Sequence, residues 1–126
     1  MTRRVISTPQ APAAIGPYSQ GIATNSLLFI SGQLPIDPIS GKMLDGDIGA
    51  KTRQIIKNAT AIAKEAGSDL DRVVKTTIFL TDLGDFQEVN TAYAIFFPEA
   101  PPARSTVQVA ALPLGSNIEI EFILAL

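Results

Sequence analysis

The chain has 126 residues, 46% of them hydrophobic, and a formal net charge of -2. It contains no cysteine and no histidine, which excludes disulfides, thiolate nucleophiles and the commonest general base and metal ligand. Carboxylates, arginine, lysine, tyrosine, hydroxyls and backbone groups remain for any chemistry.

No run of basic residues exceeds Arg3–Arg4, so the cationic footprint that supplies most of a nucleic-acid binder's affinity is missing. The opening MTRRVISTPQAPAAIG has no continuous apolar core of a signal peptide, and no apolar run approaches the roughly 20 residues of a membrane span. A cytoplasmic chain is expected, with residues 1–126 forming a single α+β domain.

In chain order, Arg3–Ser7 reads as a short edge strand ended by Pro9 and Pro12. Ile15–Gly21, with Pro17 between two glycines, reads as a shaped loop holding Tyr18 at a defined place. Leu27–Ser31 is a buried strand that runs into Gly32-Gln33-Leu34-Pro35, where proline ends ladder pairing. Asp37–Gly46 is a hairpin or loop with Lys42–Leu44 extended. A helix begins near Asp47, its N-cap, and buries Ile48, Ile55, Ala59, Ile62 and Ala66. Lys51, Gln54, Lys57, Asn58, Lys64 and Glu65 fill its other faces, and Gly67 closes it. Val73–Leu80 is a β-branched strand. Thr81 or Asp82 caps a second helix running to about Phe97, with the apolar stripe Phe86, Val89, Tyr93 and Phe96. Two strands follow, roughly Ser105–Val109 and Asn117–Leu126.

This order predicts a mixed sheet with two helices on one face. Ile118, Ile120, Phe122 and Leu124 share a face, yet Ile123 and Ala125 stand on the other beside Glu119 and Glu121. A partly apolar face without a helix predicts burial against another copy, hence a homo-oligomer.

The stretch Pro101–Glu121 carries the strongest candidates for chemistry. Arg104 follows the stiff Pro101-Pro102-Ala103, and its planar fork suits a two-pronged grip on the carboxylate of a small organic acid. An ordinary surface or interface ion pair is the competing reading. Glu119 and Glu121 point to one face of a strand expected next to that of Arg104, where one carboxylate could orient or deprotonate a water. Cross-strand or inter-subunit ion pairs are again the alternative. Tyr18 offers a hydrogen bond and Ser31-Gly32 a hydroxyl and a backbone amide, whereas Asn90, midway along the second helix, reads as solvated or as capping a neighbour. Phosphate loops of the GxxxxGK[ST] or GxGxxG type and calcium-loop spacing are absent.

IGPYSQG (Ile15–Gly21), ISGQLP (Ile30–Pro35), VVKTTIFLTDLGDF (Val73–Phe86), VNTAY (Val89–Tyr93), PPARSTVQV (Pro101–Val109) and IEIE (Ile118–Glu121), in this order over nearly the whole chain, resemble the RidA/YjgF family. The resemblance implies a chorismate-mutase-like fold and a homotrimer, three sheets facing inward as a barrel with ligand clefts between neighbouring subunits. It implies hydrolysis of 2-imino acids such as 2-iminobutanoate and 2-iminopropanoate, released by pyridoxal-phosphate dehydratases, to 2-oxo acids and ammonia, with no cofactor and no metal. On that pattern Arg104 binds the substrate carboxylate and Glu119 holds or activates the attacking water. Tyr18 and the Ser31-Gly32 corner shape the substrate cleft, with Asn90 nearby and Thr106 beside Arg104 also binding substrate. Many members carry cysteine two residues after the arginine, where this chain has Thr106, so thiol behaviour of relatives does not transfer. The alternatives are a non-catalytic trimer that binds 2-oxo acids, and a ribonuclease or translation inhibitor, against which the missing basic patch argues.

Overall fold

The computed structural model describes residues 2–126. Six strands form one sheet: β1 (Arg4–Ile6), β2 (Gly21–Ala23), β3 (Leu27–Gln33), β4 (Val73–Leu80), β5 (Ala103–Gln108) and β6 (Ile118–Ala125). Two α-helices, α1 (Ile48–Glu65) and α2 (Phe86–Phe96), precede β4 and β5. The strand order is β1-β2-β3-β6-β4-β5, with β4 and β5 parallel and every other pair antiparallel. The predicted mixed sheet with both helices on one side is therefore present. No helix of the described residues is long and apolar enough to cross a membrane.

The core lies between the helices and the face bearing Leu28, Ile30, Ile78, Leu80, Ile118, Ile120, Phe122 and Leu124, all buried. The period-two alternation of β6 puts its four large apolar side chains there and Glu119, Glu121, Ile123 and Ala125 on the opposite face. On that open face Val5, Ile22, Phe29 and Ile123 follow one another in register across β1, β2, β3 and β6. Phe79 and Val107 form a second apolar pair between β4 and β5. Phe29 and Val107 each remain 43% exposed.

Local chemistry sets the helix ends. The Asp47 carboxylate accepts from the Ala50 N–H at 2.7 Å, and Ile48, Ile55, Ala59, Ile62 and Ala66 are buried as their spacing requires. At the far end Gly67 adopts φ 83°, so that its N–H reaches the Lys64 carbonyl and the Ser68 N–H the Ala63 carbonyl. Asn58 departs from its expected solvent position. It is 1% exposed, because its amide donates to the carbonyls of Leu34 and Ile36 in the loop after β3, which α1 covers. The second helix starts later than its capping signal: Asp82 caps the short 3-10 turn Leu83–Asp85, and α2 follows from Phe86. Only part of its stripe is core, since Val89 and Tyr93 are buried while Phe86 is exposed.

Replacing Asp47 by alanine removes the α1 cap, and the unfolding free energy should fall by about 1 kcal/mol with the denaturant m-value unchanged.

Candidate functional site

Arg104 stands on β5, the free edge of the sheet, paired in register with Thr76. Thr76 faces the helices with Ile78 and Leu80, so Arg104 and Thr106 do too. The guanidinium carbon lies 5.1 Å from the centre of the Tyr93 ring and 5.5 Å from that of Phe86, both on α2. Cation–π contact uses the flat faces of the guanidinium and leaves its in-plane N–H donors available. The hydrogen bonds of the described residues include none from them. Asn90 lies four residues after Phe86 and three before Tyr93, on the same helix face as both rings. The Thr106 Oγ1 is buried and has no partner among the described residues.

The sequence pattern puts Arg104 and the two glutamates on adjacent strands, and the structure separates them. The crossover β4–α2–β5 carries β5 to one side of β4 and leaves the other side to β6. Registers also place them on opposite faces: Glu119 pairs with Phe79 and Glu121 with Thr77, on the open side. The Arg104–Thr106–Asn90 group and the glutamates thus lie on opposite sides of the sheet within one chain.

On the open face the glutamates line a cleft of about 560 Å³, with Tyr18, Ser31, Gly32 and an apolar wall that includes Leu34 and Leu114. Glu119 lies against Gly32: a Cβ built there would fall 2.5 Å from the carboxylate Oε2 and 2.8 Å from Cδ. The missing side chain at Gly32 leaves room for the Glu119 carboxylate, at the irregularity in the β3–β6 register between Ile30 and Gln33, and any larger residue must push it aside. Burial, and secondly the charge of Glu121, hold the Glu119 carboxyl above its ordinary range. Ser31 departs from the expected donor corner. Its hydroxyl donates to the Ser19 carbonyl at 2.6 Å and its N–H to the Gln20 carbonyl, so toward the cleft the hydroxyl is an acceptor. Tyr18, half exposed, accepts from the Ile15 N–H at its hydroxyl oxygen.

A family model described as Endoribonuclease L-PSP matches residues 8–126. The chain belongs to this family, the RidA/YjgF family. A human protein named 2-iminobutanoate/2-iminopropanoate deaminase is 50% identical over 121 residues, covering 96% of this chain and 88% of its own length. The chloroplastic Reactive Intermediate Deaminase A of Arabidopsis thaliana is 52% identical over 124 residues, 98% of this chain and 66% of its own. Among solved structures, E. coli TdcF with bound serine superposes with a TM-score of 0.93 at 40% identity, covering 98% of each chain.

Within this RidA/YjgF chain, Gln20 is a positioning residue that sequence reasoning passes over. It is 4% exposed; its Oε1 accepts from the Thr8 N–H, and its amide donates to the carbonyls of Thr8, Ala11 and Pro12. One side chain thereby ties the proline-rich segment to the loop that presents Tyr18. The available signal was the segment itself, whose prolines leave carbonyls without ladder partners. Phe86 and Tyr93 were legible as an apolar stripe, not as the support of a cation.

Two substitutions separate architecture from site. Gln20→Ala strands several buried backbone groups and should cost about 3 kcal/mol in denaturant unfolding. In Gly32→Ala the atoms nearest the new methyl all belong to the flexible Glu119 side chain, so the thermal midpoint should move little. Deaminase turnover should nevertheless fall at least about tenfold, because the displaced carboxylate loses its placement.

Proposed function

We propose that the chain is a 2-iminobutanoate/2-iminopropanoate deaminase, hydrolysing reactive 2-imino acids to 2-oxo acids and ammonia in clefts formed between copies of itself. The observation that carries this reading is the pair of half-sites: a guanidinium with unused donors on one face, and on the other a cleft holding a carboxylate of raised pKa. A second copy packed on the open face supplies the missing half to each. The apolar rows there give such packing its driving force. Three copies, sheets inward in a chorismate-mutase-like barrel, satisfy every open face by rotation. The full-length deaminase relatives, and the serine bound to a structural relative, add weight to a small substrate with an α-carboxylate. The reading places the protein in the cytoplasm.

In the assembled cleft Arg104 of one copy grips the substrate carboxylate two-pronged, fixing the iminium carbon beside Glu119 of the next. Thr106 and Asn90 enter with Arg104; Tyr18, Ser31 and Gly32 enter with Glu119. The Ser31 hydroxyl oxygen suits the N–H groups of a protonated imine. Water, held by Glu119, adds to the C=N carbon as the carboxylate takes its proton. Glu119 passes that proton to nitrogen, and takes the second proton from the new hydroxyl as the C–N bond breaks. The carbon keeps the water's oxygen as the 2-oxo group, and the released ammonia carries the second proton away as ammonium, restoring the carboxylate. The substrate's own positive charge supplies the electrophile, so these side chains complete the reaction. Burial and Glu121 raise the basicity of Glu119, which favours proton capture, while a neighbouring Arg104 moderates it. Ribonuclease action, the activity in the family model's description, lacks its electrostatic footprint here: the net charge is -2 and no basic run exceeds two residues.

Arg104→Ala should lower kcat/KM for 2-iminobutanoate, generated by a coupled dehydratase, by about a hundredfold or more while the assembly persists. Loss of imine no faster than in buffer with the unaltered protein would leave a non-catalytic binder. kcat/KM should rise with pH as Glu119 ionises, since only the carboxylate accepts the proton. Glu119→Gln should erase that acid limb and lower kcat by about 10²–10⁴; a larger loss in Glu121→Gln would transfer the role to Glu121.

A further inference from the structure

Arg104 is the free-edge cation whose orientation decides whether a carboxylate is gripped, yet arginine side chains ordinarily sample many rotamers. Its register neighbour on β4 is Thr76, 1% exposed, whose hydroxyl meets the Tyr93 hydroxyl at 2.7 Å. Tyr93, 5% exposed, thus runs from α2 to the strand position beside Arg104 and is anchored there by its tip. Its ring is supported by Phe97, with ring centres 4.6 Å apart, and carries the guanidinium at 5.1 Å. We infer that the Thr76–Tyr93 hydroxyl pair is a positioning device for substrate binding, holding the Tyr93 ring as a fixed platform on which Arg104 is preset for a carboxylate before substrate arrives. This rests on the deaminase reading above and extends it to two residues that touch no substrate.

The chemistry suits such a platform. Burial raises the Tyr93 pKa above 10.0, against the lowering effects of Thr76 and Arg104, so the phenol stays protonated and its hydrogen bond intact throughout the working range. A neutral ring keeps the guanidinium by its face and spends none of its N–H donors, whereas a carboxylate beneath Arg104 would compete with substrate. A platform of this kind acts in the ground state and the transition state alike, so its loss appears in KM and in product affinity and leaves kcat alone. A hydroxyl pair that only satisfies two buried polar atoms would alter stability and leave both affinities unchanged.

The test uses the full-length assembled protein, with 2-oxobutanoate binding by calorimetry and steady-state kinetics on 2-iminobutanoate. Tyr93→Leu should raise both the 2-oxobutanoate Kd and KM about tenfold with kcat within about twofold. Tyr93→Phe keeps the ring and loses the anchor, as Thr76→Val does, and each should raise both constants about threefold. In an Arg104→Ala background Tyr93→Leu should add nothing further. If Tyr93→Leu fails to fold, the two milder variants decide. Unchanged Kd in both, or an effect of Tyr93→Leu that persists without Arg104, overturns the platform. Absence of 2-oxobutanoate binding and of imine hydrolysis in the unaltered protein overturns the deaminase reading itself, and the platform with it.

Discussion

The insertion of β6 between β3 and β4 is the constraint on which the rest depends. Once the last strand occupies that place, β5 must take the free edge of β4, and the two strands richest in chemical groups no longer touch. Side-chain alternation then sends Arg104 to the helices and Glu119 to the open face. No side-chain rotation brings the two together through a sheet whose β6 residues are fully buried on one side. On the proposed reading a single chain therefore holds two incomplete sites, and its partly apolar open face is the same face that carries the glutamate cleft. That reading makes assembly and chemistry one requirement.

Each group is placed by dense local packing. Glu119 is placed by the missing side chain at Gly32 and made basic by burial and by Glu121. Tyr18 is placed by a loop that Gln20 secures with four hydrogen bonds, three of them buried. Arg104 is placed by two rings of α2 without the cost of a competing carboxylate. Rigidity of this kind suits the proposed reaction, in which no covalent enzyme intermediate forms and the protein contributes position and proton transfers.

Much of the frame is legible in the sequence because it is set locally. The Asp47 cap, the apolar face of α1, the Gly67 closure and the alternation of β6 each follow from residues a few positions apart. Strand order is not local. Nothing in residues 101–121 records that β4 comes between the strands of Arg104 and Glu119, and the expectation of adjacent strands fails for that reason. Asn58 misleads similarly, since its burial is decided by carbonyls of Leu34 and Ile36 some twenty residues earlier. Arg104, Glu119, Tyr18 and Ser31 are singled out by residue chemistry, but their meeting in one cleft rests on the family pattern. Gln20, Thr76 and Tyr93 escape because their roles lie in what they hold.

Whether the working site joins Arg104 of one copy to Glu119 of another can be read from mixing two inactive proteins. Arg104→Ala and Glu119→Gln variants, each purified alone, are partly unfolded together and allowed to reassemble. Random mixing in equal amounts into trimers makes about one cleft in four intact, so about a quarter of the unaltered deaminase activity should return. Activity that stays at the level of the separate variants, although mass measurement shows mixed assemblies, would contradict a shared site and require Arg104 and Glu119 to act within one chain.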